Sequence, residues 1–125
     1  MSPNEISRIV VDAALEVHRA LGPGLLESVY ENALAHELEL RGLHVQRQVA
    51  IPATYKALTF EIAFRADLII EGMVVVELKS VGELAPIHSK QLLTYLKLAD
   101  KKLGLLINFN VALLKNGLHR IVNNL

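Results

Sequence analysis

The chain has 125 residues, 52% of them hydrophobic, and no cysteine; this suits one ordinary domain with a real core and excludes disulfides and thiolate metal sites. Thirteen basic and 13 acidic side chains give a formal net charge of zero, so composition lends no support to nucleic-acid binding beyond a local patch, and it favours self-association. No run of about 18 apolar residues marks a membrane span, and the start, with Glu5 and Asp12, lacks the apolar stretch of a signal peptide; a cytoplasmic protein without membrane contact is expected.

Ser2, Pro3 and Glu5 form a helix start: Ser2 caps, Pro3 takes the first helical position and Glu5 closes a capping box. Ile6, Ile9, Val10, Ala13, Ala14, Val17 and Leu21 follow at helical spacing. The segment from Gly22 to Gly24 breaks that helix. A second helix is expected from Leu25 or Leu26 to Arg41, with Leu26, Val29, Tyr30, Ala33 and Leu34 on its apolar face and Gly42 as its left-handed end.

After Gly42 the period changes. "LHVQRQVAI" alternates apolar and polar, as a half-exposed strand does, and Pro52 is expected to end it. "ALTFEIAFRADLII" predicts a long strand and "MVVVELKSV" another. "APIHSKQLLTYLKLA" returns to helical spacing through Ile87, Leu92, Tyr95, Leu96 and Ala99, with Pro86 near its start. "LGLLINF" is an apolar run of the kind buried on both faces, and "GLHRIV" predicts a last edge strand. The order is α-α-β-β-β-α-β-β, with no repeat or linker, so residues 1–125 are expected to form a single α/β domain.

The polar residues of "RADLIIEGMVVVELKS" need explaining. Asp67, Glu77 and Lys79 stand among Leu68, Ile69, Ile70, Val74, Val75, Val76 and Leu78. Alternate strand residues share a face, so Glu77 and Lys79 point the same way. A two-residue loop, Glu71-Gly72, would set Asp67 on the opposite face. A three-residue loop, Ile70-Glu71-Gly72 with Gly72 left-handed, or a bulge, would bring it to theirs. A structural ion pair or a solvent-facing edge is the plain alternative. Against it stand the apolar flanks, since a charge in a core is costly unless paired or metal-bound. Two neighbouring carboxylates are reconciled by a divalent cation, and hard oxygen ligands suit Mg²⁺ or Mn²⁺.

An Asp, then ten residues later Glu-x-Lys on the next strand, resembles the PD-(D/E)XK nuclease superfamily. "GLLESVY", with Gly24, Glu27 and Tyr30, resembles the signature of the small bacterial GxxExxY proteins within it. "LGPGLLESVYENAL", "RADLIIEG", "VVELKSV", "HSKQLLTYL" and "GLLINF" look like blocks of that family, covering nearly the whole chain. The resemblance implies a restriction-endonuclease-like core, a mixed central sheet flanked by helices. It implies Asp67, Glu77 and the main-chain carbonyl of Leu78 as ligands of Mg²⁺ or Mn²⁺, and Lys79 as the catalytic lysine. Glu27 matches the acidic residue that many members carry on the helix before the sheet. Gln91 matches the polar residue often placed beside the site by the helix after it. Ala66 stands where the superfamily's proline does.

The implied activity is metal-assisted hydrolysis of DNA or RNA phosphodiester bonds. Its alternative is a non-catalytic module that binds nucleic acid or protein. So small a domain has little surface to grip a duplex; a homodimer or a larger protein partner would supply more. Gly24, Tyr30, His88 and Tyr95 are accessory candidates, each with a plain rival: a hinge for Gly24, a satisfied core hydroxyl for the tyrosines, a surface or capping role for His88. His18, His36, His44 and His119 read as structural or exposed. Arg47, Lys56, Arg65, Lys90, Lys97, Lys101, Lys102 and Arg120 are candidates for a phosphate-binding surface, or simply solvated faces.

Overall fold

The computed structural model describes all 125 residues. The chain runs α1 (Pro3–Leu21), α2 (Glu27–Leu40), β1 (Val45–Tyr55), β2 (Leu58–Ile70), β3 (Val74–Lys79), α3 (Pro86–Ala99), β4 (Leu103–Asn108) and β5 (Leu118–Val122), with a 3₁₀ turn at Leu114–Gly117 before β5. The expected element order is the observed one.

Helix α1 begins with the expected reciprocal cap. Glu5 N–H donates to Ser2 Oγ at 3.2 Å, and Ser2 N–H donates to Glu5 Oε1 at 3.1 Å. The Ser2 backbone N–H first, and then the Ser2 side chain, hold the Glu5 carboxyl below the usual glutamate range. Past the end of α2, Gly42 takes φ +84°, a conformation that spares glycine the Cβ penalty.

The five strands lie in the order β1-β2-β3-β4-β5. All neighbours are antiparallel except β3 and β4. A parallel pair needs a crossover, and α3 makes it. Alternation along β3 divides the core. Val74, Val76 and Leu78 join Leu103, Leu105 and Ile107 under α1 and α2. Val75 joins Ala66, Ile69 and Leu106 against Leu92 and Leu96 of α3. Helices thus cover both faces of a mixed sheet, the arrangement expected of a restriction-endonuclease-like α/β fold.

Two glycines permit close approach. A Cβ on Gly104 would sit 3.0 Å from Leu92 Cδ1, so its absence lets α3 settle on β4. A Cβ on Gly117 would sit 2.2 Å from the Asn108 carbonyl oxygen, a main-chain clash that no rotamer relieves. Gly117→Ala is expected to lower stability by about 1–3 kcal/mol. A denaturant titration checks it, and an unchanged midpoint would show that the 3₁₀ turn can move away.

Three local expectations are corrected. Pro52 does not end β1, which continues to Tyr55. The register instead slips between Ile51 and Ala53, from Ile51↔Phe64 to Ala53↔Phe60, and this irregularity on an edge strand tolerates a residue without an N–H. The β2–β3 loop is Glu71-Gly72-Met73, one residue later than expected, because Ile70 pairs with Val74. Glu71 and Gly72 take φ +54° and +65°, and Met73 N–H closes the turn on Ile70 O at 3.0 Å. Three unpaired residues still give the parity that sets Asp67 on the face of Glu77. Finally, "LGLLINF" is not apolar throughout in its bonding. Buried Asn108 accepts from the N–H groups of Val81 and Asn110 and donates to Val81 O. It thereby ties the segment after Lys79 to the end of β4.

One feature of the sheet was not foreseen. In β2, Leu68 and Ile70 face α1 and α2, whereas Phe64 and Ala66, of the same parity, face α3. In β1, Val45 packs with the first group, and Val49 and Ile51 with the second. Both strands exchange faces at one level, where Gln48 (φ +48°) lies beside Asp67. Further out, past Ile51 and Phe64, the two-stranded ribbon leaves Tyr55, Leu58, Phe60 and Ile62 exposed.

Candidate active site

The hairpin opens at Asp67. The last β2–β3 pair is Leu68↔Val76. One step further the ladder is replaced by a side chain: Leu78 N–H donates to Asp67 Oδ2 at 2.9 Å. In an antiparallel strand a residue's N–H and C=O point to the same side, so the Leu78 carbonyl also faces this opening. Gln48 Nε2 donates to the other oxygen, Asp67 Oδ1, at 3.2 Å. Both oxygens of the Asp67 carboxylate are therefore oriented.

Asp67 and Glu77 line a cleft of about 200 Å³ together with Glu27, Phe64, Arg65, Lys79, His88, Gln91, Leu92, Tyr95 and Leu106. Each side chain arrives by a local rule. Glu77 and Lys79 are alternate residues at the end of β3 and share the α3 face. His88, Gln91 and Tyr95 are spaced three and four apart in α3 and share one helix face. Phe64 stacks on Tyr95 with centroids 3.8 Å apart and planes 9° apart, walling the cleft on the side of the ribbon. His88 Nδ1 accepts from Ala85 N–H at 3.2 Å, so in the neutral ring the proton sits on Nε2.

Glu27 is the first residue of α2, and the loop before it is pinned at several points. Tyr30 Oη donates to Gly22 O at 2.6 Å and accepts from Leu25 N–H at 3.1 Å. Ser80 Oγ donates to Leu25 O at 2.6 Å, fastening the loop to the residue after Lys79. Gly24 has φ +98° within this loop. Gly24 and Tyr30 are not among the cleft-lining residues. The Tyr30 ring is fully buried and stacks on Phe109 at 4.5 Å, the satisfied core tyrosine of the plain reading.

Electrostatics set Glu77 apart. It is 8% exposed, and its Oε1 is buried without a hydrogen-bond partner. Burial first, and then the charge of Asp67, push its carboxyl up to about 9. Glu27 is an exposed residue, yet partial desolvation at the cleft wall, with Asp67's charge, raises its carboxyl against the pull of Lys79. Tyr95 is raised by burial and by Glu77 and Asp67. Burial is the first cause of all three shifts, and the charge of Asp67 adds to each.

These donors suit a hard divalent cation. A buried carboxylate oxygen with no partner, beside a second carboxylate, lacks a positive charge to satisfy it. No group of three or more His, Asp and Glu side chains stands ready to cage an ion. Mg²⁺-type ions are commonly held by only one or two carboxylates, with waters and substrate phosphate completing the shell. Lys79 is available as well: the ion pairs of the chain are made by Arg41 and Arg47. Asp67 and Glu77 fit as ligands on that count.

Comparison with protein families decides the lineage. Residues 4–121 match the PD-(D/E)XK nuclease superfamily. The chain belongs to that superfamily. Comparison with curated proteins and with solved structures gives no match. Members of the PD-(D/E)XK superfamily generally use divalent metal ions and act on nucleic acid. No helix of the chain is long and apolar enough to cross a membrane.

Sequence reasoning missed several residues of the PD-(D/E)XK cleft's surroundings. Gln48, Glu31 and Ser80 carry no local signal, because their partners lie 16 or more residues away, and Asn108 reaches Val81 across 27 residues. Of the eight basic candidates for a phosphate-binding surface, Arg65 alone lines the cleft. Arg47 is held by Glu31 at 3.1 Å and Asn32 at 2.7 Å, Lys56 lies over Tyr55, and Arg120 donates to Asn4. His18 is structural, its Nε2 2.8 Å from Val111 O.

Proposed function

We propose that this chain is a divalent-metal-dependent nuclease that hydrolyses phosphodiester bonds of DNA or RNA, acting in the cytoplasm as one domain over residues 1–125. The observation that carries it is the partnerless oxygen of Glu77 beside Asp67, with Lys79 along the same cleft. Asp67, Glu77 and the Leu78 carbonyl would hold Mg²⁺ or Mn²⁺. When bound, the ion supplies Lewis acidity and a water of lowered pKa. The protein's own share is placement. Glu77 would lose its proton to solvent to serve as a ligand, Lys79 would stabilise negative charge at the phosphate, and Gln91 and Glu27 would orient water at the edges of the cleft. Preorganised charge of this kind is the main source of rate in such chemistry. The placement of Gly24, Glu27 and Tyr30, one shaping the loop, one in the cleft and one pinning the loop, supports assignment to the GxxExxY group.

The alternative, a nucleic-acid- or protein-binding module without cleavage, is favoured by the zero net charge and the exposed apolar ribbon. A second copy or a larger partner seated there would extend the binding surface. A mixed DNA and RNA panel in Mn²⁺ separates the two readings. The nuclease reading expects wild type to cut and Lys79→Ala to lose 10²-fold or more, on the order seen when one preorganised charge stabiliser is removed. Binding without cleavage by the wild type would establish the alternative.

A further inference from the structure

Gln48 occupies an expensive backbone position. The β1–β2 register passes over it, between Arg47↔Leu68 and Val49↔Ala66. Its φ of +48° is left-handed, a strained conformation for a residue other than glycine that marks a position worth explaining. The side chain offers the explanation. Gln48 Nε2 donates to Glu31 Oε1 at 2.6 Å and to Asp67 Oδ1 at 3.2 Å. Both partners are carboxylates, so the nitrogen of the amide, not its oxygen, must face them. Arg47 holds the second oxygen of Glu31, and Leu78 N–H holds the second oxygen of Asp67. An unbroken chain of contacts thus runs from α2 through β1 and β2 to β3.

We propose that Gln48 is a positioning residue for Asp67: its amide fixes the carboxylate for cation binding and keeps Glu31 from becoming a rival acid beside it. The inference rests on the metal-dependent reading above. A neutral donor is the chemistry the position requires. A Lys or Arg there would compensate the charge that a cation needs, and a Glu or Asp would add a repelling one. An amide orients Asp67 and leaves its charge uncompensated. Groups that orient a metal ligand in this way commonly account for 10–100-fold in affinity.

The backbone makes the test clean. Gln48→Gly removes the amide but suits φ +48° better than glutamine does, so the fold should survive. Gln48→Asn also tolerates the left-handed region and carries an amide one methylene short of its partners. Calorimetric titration with Mn²⁺ is run on wild type, both variants and Glu77→Gln, with melting in chelator as the structural control. The expected result is 10–100-fold weaker Mn²⁺ binding in both Gln48 variants, with melting temperatures in chelator at or above wild type for Gln48→Gly. Binding within twofold of wild type in either folded variant overturns the role of Gln48 and leaves the metal site standing. A wild type that binds no Mn²⁺ overturns both.

Discussion

Glu77→Gln melts at a higher temperature than the wild type in chelator at pH 8, and Mn²⁺ does not raise it further. The first half follows from linkage. The Glu77 carboxyl sits at about 9 in the folded chain against an ordinary 4.5. Between those values the folded state holds a proton that the unfolded state releases, so stability falls as pH rises through that window. The stability is fully present below about pH 4.5 and its loss is complete above about pH 9. The burden at pH 8 is on the order of a few kcal/mol, worth roughly 5–15 °C in a chain of this size. Glutamine is nearly isosteric with the protonated acid and carries no such burden. The advantage of the variant should therefore shrink toward pH 5. The second half follows from ligand linkage: a cation that binds only the folded state stabilises it, and the variant has lost the ligand. Equal melting temperatures at pH 8 in chelator would mean that Glu77 is ordinarily solvated and that the cleft holds no surplus charge.

Tyr30→Ala costs about 3–5 kcal/mol, the usual penalty for deleting a fully buried aromatic ring. The ring fills core between α2 and Phe109, stacked within 5° of parallel. Tyr30→Phe keeps that packing and loses only the hydroxyl, which bridges Gly22 O and Leu25 N–H. Its expected cost is about 1–2 kcal/mol. A urea titration with unchanged slope distinguishes them. The phenylalanine variant also loosens the loop that delivers Glu27. A phenylalanine variant as unstable as the alanine one would show that the hydroxyl, not the ring, holds the loop.

Much of this architecture was written in local pattern. Ser2 and Glu5 announced the start of α1, Gly42 the end of α2, and the apolar run from Leu103 to Ile107 the burial of β4 on both faces. Strand parity was enough to put Glu77 and Lys79 together, but the sequence left the turn at two or three residues, and it is the observed three-residue turn that adds Asp67. The resemblance supplied Glu27 and Gln91, which the structure brings to the same cleft as His88 and Tyr95. What stayed hidden is tertiary. Nothing in "VQRQVAI" says that Gln48 turns left-handed or that two strands exchange faces beside Asp67. That geometry depends on cross-strand partners and on the helix that carries Glu31. Pro52 misled for a related reason: a proline ends a strand only where its missing N–H is needed, and an irregular edge does not need it. Tyr30 lies one turn from Glu27, yet the loop folds back over its hydroxyl and turns it away from the cleft.

The cation site itself is open to direct inspection. A crystal of the wild type soaked in Mn²⁺ and measured at an anomalous wavelength should show one strong peak at bonding distance from Asp67 and from Oε1 of Glu77, beside the Leu78 carbonyl. A soaked crystal with no anomalous density between those two carboxylates, or with its peak only elsewhere on the chain, would contradict the account.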